Sequence, residues 1–418
     1  MKPILSRVLA PLTVLSAAAA LTTACGGSDA SSNSLTVWMY PVIADQQASR
    51  TYWQQIEKDF EAAESGLDLK IELQPWDNRD QKVATALAGG NGPDIVLLGP
   101  DQVPQYVQNR TLAPVDDVTA GAGSSFLPGS LKALSVEGKL YAAPIYHTIT
   151  STIYNKELLD KAGIKTPPQT WDEIRAAAPK LKEAGVATLD YSASPEASLN
   201  LNFYPLLWQA GGTVFTPDGK KAAFNGPAGV EALTFLVDLY KDGAVPKSGL
   251  SNKNVFADQA LGKKQVAMGF ANVPADVKIA AGAWGKENVI VGLPLRHRKQ
   301  VGFGLPGGLG VNARSKNKAN ADRFLRFMID PKRITSLTAA SGFLSPRTDV
   351  KAPAADETTA KFAEALPYAH SGEANVSARQ VMSLLSAEIQ ATLTGKKEPR
   401  QALDDAAKQA DDLLARQR

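Results

Sequence analysis

Apolar positions along this chain change period repeatedly, and the changes mark its elements. Leu35–Tyr40 is a β-branched and aromatic run closed by Pro41, which reads as a buried strand. Tyr52, Ile56 and Phe60 then recur at helical spacing, and Leu67–Leu73 alternates as a second strand. Val83 and Leu87 mark a second helix ended by Gly89-Gly90, and Pro93–Leu98 is a third strand broken by Gly99-Pro100. Strands alternating with helices predict an α/β fold, a mainly parallel sheet with helices on both faces. Ligands in such sheets sit beyond the carboxyl ends of the strands, here Tyr40–Ile43, Gln74–Asp77 and Gly99–Gln102.

The stretch Gly138–Lys156 breaks this rhythm. It holds two β-runs, Leu140–Ala143 and Ser151–Asn155, with Pro144 fixing φ between them. Strands flanking such a polar, aromatic joint are expected to belong to two sheets, so the segment reads as a crossing between lobes. The pattern then starts afresh. Thr170 and Glu173 form a capping box and Trp171 opens a helix to about Ala184. Ala187–Tyr191 is a strand, and Leu199–Ala210 is a helix stopped by Gly211-Gly212. Asn225 caps a helix with Pro227 in its first turn and Val230, Leu233, Leu236, Val237 and Tyr240 along one face. Phe256–Phe270 reads as helix then strand, and Val301–Val311 is a Gly-rich strand. Thr358–Leu366, Ser377–Leu393 and Arg400–Leu414 are the last helices.

The N-terminus adds an export signal. Lys2 and Arg7 precede an apolar Val8–Leu21 segment of signal length, too short to span a bilayer comfortably. It ends in Leu21-Thr-Thr-Ala-Cys25-Gly-Gly, which resembles a bacterial lipobox, with Thr22 where Leu is commonest. Cys25 is the single cysteine, so disulfides are excluded and lipidation of Cys25 is expected. Two or three acyl chains hold a protein on a membrane. This places the mature protein on the outer face of the bacterial cytoplasmic membrane, with Gly26–Ser34 as a flexible tether. Without Lys2 and Arg7 the charge is nearly balanced, and Arg296-His-Arg-Lys299 is the one basic run, so no nucleic-acid partner is expected.

Catalytic signatures are missing. The 3 histidines, His147, His297 and His370, lie far apart and show no metal-ligand spacing. There is no Gly-x-Ser-x-Gly elbow and no phosphate loop, so no cofactor, no metal and no enzyme activity are expected. A secreted glycoside hydrolase remains the alternative of a different class. It needs two carboxylates across a cleft, and Asp77, Asp94, Asp101 and Glu137 cannot be paired from sequence.

Three features carry a family resemblance. These are Gly138–Lys156, the Thr170-Trp-Asp-Glu173 helix start, and Ala88-Gly-Gly-Asn-Gly-Pro-Asp-Ile-Val96. Together they resemble the extracellular solute-binding proteins, family 1, the sugar-binding lipoproteins of ABC importers of the maltose/oligosaccharide-binding kind. The resemblance runs in order through essentially the whole mature chain. It implies the periplasmic-binding-protein type II fold, two α/β lobes joined by a hinge with the ligand cleft between them. The implied division is 1–24 signal peptide, 25–34 tether, 35–143 plus 301–345 first lobe, and 144–300 plus 346–418 second lobe. The implied function is capture of a sugar or oligosaccharide and its delivery to ABC permease subunits with a separate ATPase, by a monomer. A glycerophosphodiester or another polyol is the alternative ligand.

A sugar offers apolar faces that stack on rings and hydroxyls that need hydrogen-bond partners. Tyr40, Trp76, Tyr146, His147 and Trp208 are therefore the aromatic candidates, with Trp38 assigned to the core and Trp284 to structure. The resemblance puts Asp101 at a ligand-binding aspartate. Gly307 and Gly308 are expected to let backbone approach the sugar, and Arg347 to donate to it. Leu98, Asn272-Val-Pro274 and Arg379-Gln380 stand where maltose-binding members carry aromatic platforms, which argues against maltodextrin itself.

Overall fold

The computed structural model describes residues 33–90, 92–252, 255–350 and 357–416. The signal peptide, Cys25 and nearly all of the expected tether lie outside the described residues. Ten strands carry the two larger sheets. In chain order they begin with β1 (Ser34–Met39), β2 (Asp68–Leu73), β3 (Ile95–Leu98), β4 (Leu112–Ala113) and β5 (Ala143–His147). Then come β6 (Ser151–Asn155), β7 (Ala187–Leu189), β8 (Val266–Asn272), β9 (Val289–Val291) and β10 (Pro306–Asn312).

The first sheet runs β2-β1-β3-β10-β4, with β5 also paired to β10. Its β2-β1-β3 part is parallel as the alternation predicts, and helices Gln46–Ala63 and Arg79–Gly89 make the crossovers. Asp45 caps the first of these by accepting from the Ala48 N–H, and Trp53, Ile56 and Phe60 form its buried stripe. Strand β10 runs antiparallel to β3, β4 and β5, because the chain returns here from the second half rather than through a crossover helix. Ser34, counted with the tether, is already paired with Asp68.

The second sheet, β9-β6-β8-β7, is mixed. Only β7 and β8 are parallel, and their carboxyl ends lie together at Leu189 and Asn272. The Trp171–Glu183 helix starts at the predicted Thr170–Glu173 capping box and buries Trp171, Ile174, Ala177 and Leu181. The C-terminal helices Ala378–Leu393 and Pro399–Arg416 share a core with Pro227–Lys241 on this second half, as expected.

The crossing lies later than the sequence suggests. Strand β5 contains Pro144 and stays in the first sheet to His147, while β6 opens the second. Pro144 is tolerated in the strand because it faces Gly308 at a register shift, where a ladder bond is already lost. Thr148 and Thr150 donate their backbone N–H groups to Leu305 and Phe303, and His147 and Leu344 exchange N–H···O=C bonds. Three chain segments thus run side by side between the halves. A second boundary moves as well. Residues 346–350, expected with the second lobe, dock on the first core. There Leu127 donates to the Pro346 carbonyl and Val350 is buried among first-sheet residues.

Candidate functional site

The carboxyl ends of the parallel strands converge on one set of side chains. Tyr40 follows β1 and Trp76 follows β2, and their rings stack 4.7 Å apart. The Arg79 guanidinium lies over both rings, 4.5 and 5.0 Å from their centroids, and donates to the Leu97 carbonyl. Tyr40 is buried and burial raises its phenol above the usual range, whereas Trp76 is 47% exposed. The pair is a rigid platform with one open side.

Beyond β3, Gly99-Pro100 turns the chain so that Asp101 becomes buried. One Asp101 carboxylate oxygen accepts from Arg379 Nη2 at 2.9 Å and from Asn200 Nδ2 at 3.2 Å. Arg379 also pairs with Asp80 at 3.3 Å, and Asp80 accepts from Gln102 Nε2. Asn200 and Arg379 belong to the second half, so this charge network joins the two halves at the strand ends. Tyr204 Oη and Asn200 Oδ1 are buried there without a hydrogen-bond partner, a state native structures seldom leave unexplained.

The remaining candidates fall into two groups. Tyr146 is buried against Phe343 at 4.9 Å, and burial pushes its phenol up to about 12. His147 is buried, with Nδ1 at 2.9 Å from the Thr148 carbonyl, and burial holds its pKa below the usual histidine value. Trp208 is buried, stacks 3.9 Å from His370 and donates to Glu373. Burial lowers His370 to about 4, with Lys299 adding to it, and burial raises Glu373.

Gly307, Gly308 and Arg347 serve the protein's own packing. A Cβ on Gly307 would sit 2.1 Å from Tyr146 Cζ, and one on Gly308 2.6 Å from a Leu134 methyl, so side chains fill the space expected for a sugar. Arg347 is spent on Asp349, which it grips through Nε and Nη2, on the Ile329 carbonyl, and on the Phe126 face. These bonds take three of its five N–H groups, and the side chain is buried. Trp38, placed in the core, is half-buried and donates to Glu72 across β1 and β2. Gly307→Ala is expected to cost about 1–3 kcal/mol by forcing the Tyr146 ring aside. Urea unfolding measures it, and a parental midpoint would contradict the close packing.

Periodicity does not reveal Arg79, Asp80, Asn200, Tyr204 or Arg379, which meet only in the folded chain. Sequence did carry one hint, since Arg379 occupies a position where an aromatic platform was expected.

A second concavity of about 110 Å³ lies at the carboxyl ends of β7 and β8, lined by Asp190, Tyr191, Asn202, Gln259, Asn272 and Asp276 among others. The Leu199–Leu201 turn connects it to the charge network, carrying Asn200 to Asp101 and Leu201 to the concavity. Among the described residues no group of three His, Cys, Asp or Glu side chains is placed to hold a metal ion. No described helix is long and apolar enough to cross a membrane.

Comparison with known proteins places this geometry. The family model described as bacterial extracellular solute-binding protein matches residues 44–333. The diacetylchitobiose binding protein DasA of Streptomyces coelicolor is 28% identical over 355 residues, covering 81% of this chain and 80% of DasA. The sn-glycerol-3-phosphate-binding periplasmic protein UgpB of Escherichia coli O1:K1 is 25% identical over 392 residues, covering 84% and 86%. A solute-binding protein of an ABC transporter from Thermotoga lettingae, solved with α-D-tagatose, superimposes with a TM-score of 0.80 at 24% identity, covering 91% of this chain and 99% of that one. The superposition shows the fold, two α/β lobes with a cleft between them.

Proposed function

Because the chain belongs to the bacterial extracellular solute-binding proteins, we propose that it captures a sugar or oligosaccharide between its lobes as the substrate-binding component of a carbohydrate ABC importer. The observation that carries this reading is the Tyr40–Trp76 platform next to the buried Asp101–Arg379 network. Rings take the C–H face of a sugar, and charged or amide groups take its hydroxyls. The names of DasA and of the tagatose-bound structure support a carbohydrate.

Closure works as a population shift. The halves are linked through 148–150, 303–305 and 344, and a ligand touching both favours the closed form by its differential affinity. Periplasmic binding proteins are a standard example of such hinge closure. Among the described residues the lobes divide as 34–147 plus 306–350 and 151–303 plus 357–416. Permease and ATPase subunits are separate chains. Cys25 carries the acyl anchor, so Cys25→Ala is expected to release the protein from membranes to the medium. Membrane retention of that variant would remove the anchor assignment.

Titration of tryptophan fluorescence with mono-, di- and oligosaccharides tests the reading. Trp76→Ala is expected to weaken binding of whichever sugar responds about tenfold, or about 1.4 kcal/mol. Equal affinity would remove Trp76 from the site. The Arg79 guanidinium over the platform and the likeness to UgpB favour a second reading, a glycerophosphate or its diester. Including sn-glycerol-3-phosphate in the panel separates the two. Recovery of the bound sugar unchanged separates both from a glycoside hydrolase.

A further inference from the structure

The concavity at the ends of β7 and β8 carries two carboxyl groups, Asp190 and Asp276, in its polar lining. Asp190 follows β7, and Asp276 sits in the first turn of the Pro274–Trp284 helix that follows β8. One Asp276 oxygen accepts from the Val273 N–H at 2.9 Å and lies 3.5 Å from Asn272 Nδ2. Donors on the lining are spent inside the protein. Asn202 Nδ2 donates to the Ser198 carbonyl, Gln259 Nε2 to Ser192 Oγ, and the Ser192 hydroxyl to Asn252. What remains unpaired is one acceptor, Asn272 Oδ1, on a side chain 5% exposed, and one hydroxyl, Tyr191 Oη, which donates as well as accepts, on a side chain 3% exposed. A Cβ on Gly269 would stand 2.6 Å from Asn272 Oδ1, which is itself buried.

The two carboxyl groups make the charge of the concavity one-sided. Burial raises Asp190 to about 7, with the Asp276 charge adding to it, and burial raises Asp276 to about 6. Asp190 accepts from the backbone N–H groups of Ala260, Tyr191 and Leu261, and Asp276 from that of Val273. A sugar hydroxyl brings one donor, and its own oxygen would then face acceptors. An ammonium brings three donors, no acceptor and the missing positive charge. Room is sufficient, because a water needs only about 10–15 Å³ of such space and the concavity offers about 110 Å³.

We propose that Asp190, Asp276 and Asn272 form an ammonium subsite, and that the captured solute is an amino sugar with a free, protonated amine. This rests on the solute-binding reading and names the class of its ligand. The position fits, at the carboxyl ends of a parallel strand pair and one turn away from Asn200 in the charge network.

Three β-1,4-linked disaccharides that differ only at C2 test it on the full chain by isothermal titration at neutral pH. They are the glucosamine dimer, N,N′-diacetylchitobiose and cellobiose. The glucosamine dimer is expected to bind at least about tenfold more tightly than cellobiose. That preference is expected to collapse in Asp190→Asn and in Asp276→Asn, which remove the charge at nearly the same side-chain size. An amine dimer that binds no better than cellobiose overturns the subsite, as does a preference that survives both substitutions. If neutral saccharides bind without amine preference, the subsite falls and solute capture stands. If nothing in this series or in the wider panel binds, both fall.

Discussion

Arg379→Met is expected to open the unliganded protein, because it strands a buried carboxylate. Asp101 is 4% exposed, and its oxygen would keep only the 3.2 Å bond from Asn200. Removing one partner of a buried ion pair costs about 3–5 kcal/mol, most of it the desolvation of the charge left behind. The molecule has a cheap way to relieve that cost. Arg379 and Asn200 reach Asp101 from the other half, so separating the halves about their three connecting segments lets water reach Asp101 without unfolding either core. The radius of gyration from small-angle scattering is therefore expected to rise in the variant. Adding Asp101→Asn, which removes the stranded charge, is expected to bring it back towards the parent. An unchanged scattering profile together with an unchanged thermal midpoint would show that the pair contributes nothing.

This network also explains which parts of the site were legible in the sequence. Tyr40, Trp76 and Asp101 could be placed at one edge because each lies just beyond a predicted strand, and parallel strands bring their carboxyl ends together. Helix starts were legible where capping chemistry is local, as at Thr170–Glu173. Arg379 and Asn200 were not, since their partners stand far off in sequence and no periodicity records a contact between halves. Gly307 and Gly308 misled for a related reason. A glycine announces a close approach without saying to what, and here it is Tyr146 and Leu134. Arg347 reads from sequence as a donor to the ligand, yet Asp349 two residues on and the Ile329 carbonyl take three of its five N–H groups. The crossing was misplaced because Pro144 looks like a strand terminator, and only the pairing with Gly308 shows why the strand continues through it.

Asp190 is expected to make the unliganded protein less stable as pH rises from about 4 to about 7, against the usual behaviour of salt-bridged carboxylates. Its folded pKa stands at about 7, raised chiefly by burial, while the unfolded chain titrates it near the ordinary aspartate value of 3.8. Between those values the folded protein binds the proton and the unfolded chain does not. The slope of stability against pH follows the protons bound by the unfolded state minus those bound by the folded state, and here that difference is negative. Stability is thus fully present below the unfolded pKa and lost as pH rises through the folded one. A displacement of this size is worth on the order of 4 kcal/mol at 1.36 kcal/mol per pKa unit. Asp276, raised to about 6 by burial, acts in the same direction over a narrower window. Paired surface carboxylates such as Asp59 and Asp349 are lowered and act oppositely, so the comparison of parent with Asp190→Asn isolates the buried group. Guanidinium midpoints for the two are expected to converge near pH 4, where Asp190 is already neutral. They are expected to separate in favour of the variant as pH rises from about 4 to about 7, and to keep that gap above it. A parent that stays as stable as Asp190→Asn through this range would mean that the carboxylate is compensated in the folded state, and the concavity would then have no charge left to offer a cation.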